Sequence, residues 1–242
     1  MKIFPQLLLA CILAVGCAFT PTSKAQDSIS QVAIAEKKIT LPQVKGLVQV
    51  DLPPLLEMAK NMTYSANRLL GMYVEDDDYK ALISGNSTDL RRYALVQTLR
   101  SMEQSELSAE GFLQISTKMK EQYAKSIKIN QTILDQEAKR VSQKIAEQTD
   151  DKSFDMKVGE IKVDQILEFK NAILILAKTI IQVQSDGAMH HVPMQVGMGT
   201  ARVNGKLVYF YSYSRFESEK DVAWVRDINE QWFAVIDAAN KQ

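Results

Sequence analysis

The stretch VPMQVGMGTARVNGKLVYFYSYS, residues 192–214, decides the fold. Two runs of strand-forming residues flank Asn204-Gly205, the strongest short-range signal for a β-hairpin, because both positions of its two-residue turn need a positive φ. Such a turn places Phe210 opposite Gly199 on the neighbouring strand. We therefore predict that this hairpin lies inside an antiparallel sheet.

One face of this hairpin carries only small residues at its centre, namely Gly197, Gly199 and Ala201. Glycine weakens a strand interior unless another element approaches it closely. The C-terminal segment supplies such an element, since Ser218-Glu219-Lys220-Asp221 is a capping box and apolar residues, Trp232 among them, follow at helical spacing. We predict that this terminal helix packs over the two glycines.

Residues 108–148 contain no proline and begin with Ser108, a residue type favoured at helix N-caps. Apolar residues recur there at helical spacing, although the stripe thins around Asn130-Gln131. We predict one long amphipathic helix over 108–148, or two helices joined near 129–132, covering the second face of the sheet. Ser126–Gln143 is the stretch expected to extend beyond the core and to offer an interaction surface.

The remaining segments complete an α+β pattern. Strands are predicted at 38–42, 46–50, 67–74, 92–99, 160–169 and 172–184, and short helices at 55–62 and 79–84. The predicted fold is an antiparallel sheet sandwiched between helical layers, forming a single domain over residues 37–242. A flexible polar segment, residues 26–36, is expected to precede it.

Residues 1–25 have the anatomy of a secretory signal peptide. Lys2 provides the positive end, Leu7–Val15 the apolar region and Ser23-Lys24-Ala25 the small residues before the cleavage site. Removal after Ala25 would place the chain in the periplasm or outside the cell. It would also remove both cysteines of the sequence, which excludes disulfides and thiolate chemistry from the mature chain.

A second interpretation of the leader concerns lipid attachment. Ala14-Val15-Gly16-Cys17 resembles the lipobox of bacterial lipoproteins, so a lipid anchor at Cys17 is the alternative to soluble export. The one later apolar run, Ala172–Ala177, is far shorter than the roughly 20 residues of a membrane-spanning helix. We expect no integral membrane segment.

Charge argues against a nucleic-acid partner. The chain has 29 basic and 29 acidic residues, and removal of the leader takes Lys2 and Lys24 with it, which leaves a slight acidic excess. No basic tract provides the electrostatic attraction that phosphate backbones require.

The sharpest candidates for chemistry are His190 and His191, the only histidines, with Met194 and Met198 nearby. Imidazole and thioether groups suit copper. Successive residues of a strand point to opposite faces, however, so at most one histidine shares a face with the methionines. The competing interpretation is a polar turn at the histidines, leading into a strand whose methionines fill the core.

Other motifs point away from catalysis. The acidic run Glu75–Asp78 lacks the alternating donors and central glycine of a calcium loop, and acids suit the start of a helix. No Gly-x-Ser-x-Gly motif and no glycine-rich phosphate loop occurs in the sequence. Tyr209, Tyr211 and Tyr213 could line an aromatic binding face, or could face a helix. We predict no catalytic, metal-binding or cofactor-binding residue.

Several short motifs together resemble a known group. The segments Gly205–Tyr209, Trp224–Asp227, Asn67–Leu70 and Arg92–Val96, together with Trp232, are similar to uncharacterised exported proteins of Gram-negative bacteria. The order of a sheet hairpin and a tryptophan-bearing terminal helix is also similar to PsbP-like folds. That resemblance implies an α/β/α sandwich used for binding or assembly, and it transfers no functional residue.

The resulting hypothesis is a non-enzymatic exported module that binds a protein partner or a small ligand, or that serves envelope assembly. Two alternatives stay open. One is a carboxylate-dependent periplasmic hydrolase, because two carboxylates suffice for such chemistry. The other is a weak copper-binding periplasmic protein that uses the histidine pair.

Overall fold

The computed structural model describes residues 30–84, 90–124, 131–148, 153–185 and 187–240. These residues form ten strands, five α-helices and one 3-10 turn. In chain order they are β1 Ser30–Ile34, β2 Lys37–Leu41, β3 Leu47–Gln49, α1 Pro53–Met62, β4 Asn67–Glu75, α2 Asp76–Ile83, β5 Arg92–Leu99, the 3-10 turn Arg100–Met102, α3 Ala109–Ala124, α4 Gln131–Gln148, β6 Asp155–Val158, β7 Lys162–Phe169, β8 Ala172–Ser185, β9 Ala188–Val203, β10 Lys206–Arg215 and α5 Glu219–Ala239.

Eight strands form one antiparallel sheet in the order β3-β4-β5-β10-β9-β8-β6, with β7 pairing with β8 beside β6. The predicted hairpin is confirmed, since Asn204 and Gly205 both have positive φ and Phe210 lies opposite Gly199. The predicted α+β class, with an antiparallel sheet and a terminal helix, is confirmed as well.

The sheet has two covered faces, which we call face A and face B. Face A carries residues such as Leu95 and Tyr211, and its core contains the buried side chains of α1, α2, α3 and α4. Face B carries Phe210 and Leu174, and its core contains α5 together with the separate hairpin β1–β2. Each helical layer therefore buries its own apolar stripe against one side of the same strands.

The terminal helix lies directly over the glycines of β9. A Cβ atom added at Gly197 would lie 2.7 Å from Val225 Cγ1, and one added at Gly199 would lie 2.6 Å from Asn229 Oδ1. Trp232 is fully buried, with its ring stacked 4.7 Å from that of Phe210. The small residues of β9 thus allow α5 to approach the sheet closely, as the sequence predicted.

The N-terminal segment differs from the prediction. Residues 26–36 were expected to be flexible, whereas Ser30–Ile34 form β1, and Ile34 is fully buried in the core of face B. The preceding residues 1–29 lie outside the described structure, as do the predicted cleavage site and Cys17. The hairpin is held by contacts distant in sequence, among them the hydrogen bond from the Thr40 N–H to Asn240 Oδ1 at 2.9 Å.

The long helical segment is described as α3 and α4, while residues 125–130 between them lie outside the described structure. Ser108 caps α3, because its Oγ accepts the Gly111 N–H at 3.0 Å. The expectation that Ser126–Gln143 protrudes is wrong for its described part. Leu134 and Ala138 of α4 are buried in the core of face A, so the apolar stripe already has its partner.

Candidate functional site

The histidines and methionines of β9 do not form one site. His190 and His191 are exposed, whereas Met194 and Met198 are buried in the core of face A. The histidines lie within β9 and not in the predicted turn, because the strand begins at Ala188. Within the described ranges, no cluster of three or more His, Cys, Asp or Glu side chains is arranged to hold a metal ion.

The acidic run Glu75–Asp78 lies at the junction of β4 and α2. Glu75 ends the strand, and the following three acids occupy the first turn of the helix, where the helix dipole favours negative charge. Asp76 pairs with Lys80 one turn later, and Glu75 accepts a hydrogen bond from Arg92. The run therefore starts a helix, in agreement with the second interpretation of the sequence.

A buried carboxylate organises the start of α5. Asp221 is fully buried; its Oδ1 accepts hydrogen bonds from Arg92 at 2.8 Å and from Ser214 at 3.2 Å. Its Oδ2 accepts the N–H groups of Glu217 and Ser218, each at 3.0 Å. Burial alone would raise the pKa of Asp221, but these donors hold it well below its usual range.

Arg92 links this carboxylate to the neighbouring strands. Its guanidinium donates to Asp221 and, at 3.2 Å, to Glu75, and it lies 5.2 Å from the centre of the Trp224 ring. Since a guanidinium separates the two carboxylates, and Asp221 is held in its ionised form, this group fixes α5 to β5 and β10. General acid catalysis needs the opposite, a carboxyl group with a raised pKa.

The tyrosines of β10 belong to the interior. Tyr209, Tyr211 and Tyr213 are buried on face A, and Tyr213 stacks on Tyr93 with ring centres 4.9 Å apart. Burial raises the pKa of Tyr211 well above its usual value. Of the two interpretations of the sequence, an aromatic binding face or tyrosines that face a helix, the second is the observed one.

A small apolar recess lies between α1 and face A. Its volume is about 10 Å³, enough for one water molecule at most. Its walls are formed by apolar side chains and one tyrosine, namely Met58, Ala59, Met62, Met72, Leu90, Tyr93 and Leu95. A substrate pocket is typically some 300 Å³ or larger and has converging polar groups, so this recess is a packing defect.

A further candidate among the described residues is an uncovered part of face B. Strand β10 pairs with β9 only as far as Met194, so the ends of β8 and β9 continue beyond it as an arm, residues 180–185 and 188–193. On face A the arm is buried through Ile181, Val183 and Val192. On face B it has no helix over it among the described residues, because α5 begins only at Glu219.

We call the side chains on this uncovered side the arm face. They form three cross-strand pairs, Ile180 with Pro193, Gln182 with His191 and Gln184 with Met189. Ile180 is 48 % exposed and Met189 is 51 % exposed, although both are large apolar residues. The arm is anchored at its base, where the Phe216 N–H donates to the Pro193 carbonyl at 2.8 Å.

The sequence did not identify the arm face, although it contained part of the signal. It predicted the strands and the start of the terminal helix, but the position at which that helix stops covering β8 and β9 is a tertiary property. Of the predicted residues, His191 lies on the arm face. His190 lies on the opposite face of the strand, because successive residues of a strand point to opposite faces.

No protein-family model, no curated protein and no solved structure matches this chain. Within the part of the chain that the structure describes, no helix is long and apolar enough to cross a membrane.

Proposed function

We propose that this chain is a non-enzymatic exported binding module, and that it binds a protein partner through the arm face. The observation that carries this proposal is the half-exposure of Ile180 and Met189 on one side of a sheet whose central strands are covered on both faces. These two residues lie on the same face, on either side of the Gln182–His191 pair, and large apolar side chains on a fixed surface can serve as anchors of a protein interface. Export through the leader at residues 1–25 is part of the proposal.

The arm face suits a protein partner because it is rigid and mixed in character. Its strands are held in register on both sides, β8 by β6 and β9 by β10 at the base of the arm. Two large apolar side chains lie beside amide and imidazole groups that can make hydrogen bonds, as in the core and rim of an interface. A surface fixed in this way loses little entropy on binding.

The alternatives have weaker support. A carboxylate-dependent hydrolase requires a general acid with a raised pKa, yet among the described residues Asp221 and Glu110 both have a lowered pKa. For copper, His191 shares the arm face with Met189, but His190 lies on the other side of the strand. The arm face therefore brings together one imidazole and one thioether, fewer ligands than a stable copper site uses.

The experiment is site-specific photo-crosslinking in the cells that produce the protein. A photoreactive residue at position 180 should give a discrete adduct with a second polypeptide. The matched control is position 113, where Leu113 of α3 is 63 % exposed and lies on the outside of the other layer. Equal labelling at both positions, or no polypeptide adduct at position 180, would contradict the proposal.

A further inference from the structure

Exposure to solvent separates one methionine from the others. Of the nine methionines that the structure describes, Met189 alone is exposed, with 51 % of its surface accessible. Met58 and Met102 are partly buried and pack against the core of face A. Six more are buried in that same core, namely Met62, Met72, Met119, Met156, Met194 and Met198. Met189 is therefore the described methionine most open to a reagent in solution.

The register of β9 keeps Met189 on the outside of the arm. Met189 shares the arm face with His191, whereas Val192 and Met194 point to the core of face A. The pairing of β8 with β9 is continuous from Ala188 onwards, so the strand is held at this position. Burying Met189 would require a slip of one residue, which would turn every side chain of the strand to its other face. The exposure of this thioether is therefore built into the fold.

Peroxides oxidise an accessible thioether to the sulfoxide. A lone pair of the sulfur attacks one oxygen of hydrogen peroxide, so that an S–O bond forms and the O–O bond breaks. The second oxygen leaves with both protons as water, and the two electrons that the sulfur loses are gained by the peroxide. Methionine sulfoxide is polar, and reductases of the methionine sulfoxide class return it to the thioether, so the change is reversible.

The neighbours of Met189 can accommodate a sulfoxide. Gln184 lies directly opposite on β8, and directly opposite side chains have Cβ atoms about 4.5–5.5 Å apart. The Gln184 amide can therefore donate a hydrogen bond to a sulfoxide oxygen at position 189. Oxidation would leave the core untouched, but it would make polar one of the two large exposed apolar side chains of the arm face, Ile180 being the other.

We propose that Met189 is the site at which peroxides modify the folded chain, and that its sulfoxide weakens binding at the arm face. The first part concerns the chain by itself and goes beyond the proposed function. The second part rests on the proposed function, because a partner that packs on Met189 would have to bury the polar sulfoxide group, which costs free energy unless a new hydrogen bond compensates it.

The modification site is tested by treating the purified chain with hydrogen peroxide and mapping its peptides by mass spectrometry. In the folded chain, sulfoxide should form at Met189 at least about tenfold faster than at Met58, Met194 or Met198. In denaturant the four rates should become similar, because the difference comes from burial in the fold. Equal rates in the folded chain, or faster oxidation at one of the other three methionines, would overturn the proposal.

The effect on binding is measured as the yield of the crosslinked adduct from position 180. The purified chain with the photoreactive residue is treated with hydrogen peroxide, freed of it by gel filtration and irradiated in an extract of the cells that produce it. The yield should fall at least about fivefold relative to the untreated chain. Met189→Leu is the matched control, because it keeps the size of the side chain without the thioether, and its yield should not respond to peroxide.

The outcomes separate this inference from the proposed function. An adduct whose yield does not respond to peroxide would overturn the second part and leave the proposed function in place. An equal fall in Met189→Leu would also overturn it, because another methionine would then be responsible. Absence of an adduct from the untreated chain would contradict the proposed function and the second part together, while the oxidation rates would still decide whether Met189 is the modification site.

Discussion

Strand β9 has two stretches that differ on face B, because one is covered by a helix and the other is exposed. At Gly197–Ala201 it lies beneath α5, and the helix comes so close that a single Cβ atom has no room. At Met189–Pro193, only a few residues earlier, the same side of the same strand is exposed. The difference lies in what covers them, because α5 lies over the first stretch, whereas no helix lies over the second in the described structure.

The boundary between these stretches is set by the start of α5. Asp221 completes the capping box and binds Arg92 and Ser214, so the first turn of the helix is fixed to β5 and β10. Among the described residues, α5 continues from that turn over the covered stretch, and no helix lies over the arm face. The covered stretch contributes to stability, whereas our proposal assigns binding to the uncovered stretch, and the following predictions test this division.

The largest effect is expected from Trp232→Ala. Trp232 of α5 is fully buried against the sheet and stacks on Phe210, so its removal leaves a large cavity between helix and sheet. The free energy of unfolding should fall by about 3–5 kcal/mol, measured by denaturant titration. Trp224→Ala is the control, since Trp224 is partly exposed over Arg92 and should cost clearly less. An equal loss in the two variants would mean that α5 is not packed as described.

The second-largest effect is expected from removing the charge of Asp221, whose hydrogen bonds fix the start of α5. Asp221→Asn keeps the shape of the side chain but removes the charge that accepts hydrogen bonds from Arg92 and from two backbone N–H groups. We expect a loss of about 1.5–3 kcal/mol at pH 7. Glu219→Gln, at an exposed acid in the same turn, should change stability little.

The loss of stability in Asp221→Asn should depend on pH, and the lowered pKa of Asp221 gives the direction of that dependence. The pKa of Asp221 is lowered in the folded chain and is ordinary, near 4, in the unfolded chain. Its stabilising contribution is therefore complete above about pH 4 and is lost as the pH falls towards the folded-state pKa. The stability difference between the native chain and Asp221→Asn should shrink on acidification below pH 4. A difference that grows there would contradict the assignment.

A smaller effect is expected from Gly199→Val. The new side chain would start 2.6 Å from Asn229 Oδ1 and 2.9 Å from the Phe210 carbonyl, so helix and strand must separate. Unfolding by heat or denaturant should show a loss of about 1–3 kcal/mol. Combining it with Phe233→Leu, which shortens a side chain that also touches this position, should recover part of the loss. No recovery would show that the strain lies elsewhere.

The smallest effect on stability is expected on the arm face. Ile180→Glu should change the free energy of unfolding by no more than about 0.5 kcal/mol, because the side chain is half exposed and has no helix over it in the described structure. Ile228→Glu, at a buried position of α5, is the contrasting variant and should be strongly destabilising. If both variants unfold the chain, the arm face is part of the core.

The sequence was sufficient where structure is local. Asn204-Gly205 fixed the hairpin through the φ angles of two residues, and the capping box fixed the start of α5. The covering of Gly199 also followed, since glycines at alternate positions of a strand need a close neighbour. These predictions rest on contacts between residues that are near in sequence or on one strongly constrained position.

The sequence was insufficient where burial comes from distant segments. Strand β1 has only two apolar residues at alternate positions, Val32 and Ile34. Its partner strand β2 contacts the far end of the chain through the hydrogen bond from the Thr40 N–H to Asn240. The exposure of the arm face could not be predicted from the sequence either. Ile180 alternates with core residues in β8, and the sequence of this strand gives no sign of where one of its faces becomes exposed. Which side of such a strand remains uncovered depends on where another element ends.

Amide hydrogen exchange measured along the whole chain tests the central claim most directly. The mature chain is compared in buffer and in an extract of the cells that produce it, and is then recovered for mass analysis. The account predicts slowed exchange in the extract at residues 180–193, with unchanged exchange in β10 and α5, which are protected in both samples. Slowing that is absent from the arm, or that is confined to another surface, would contradict the assignment of binding to the arm face.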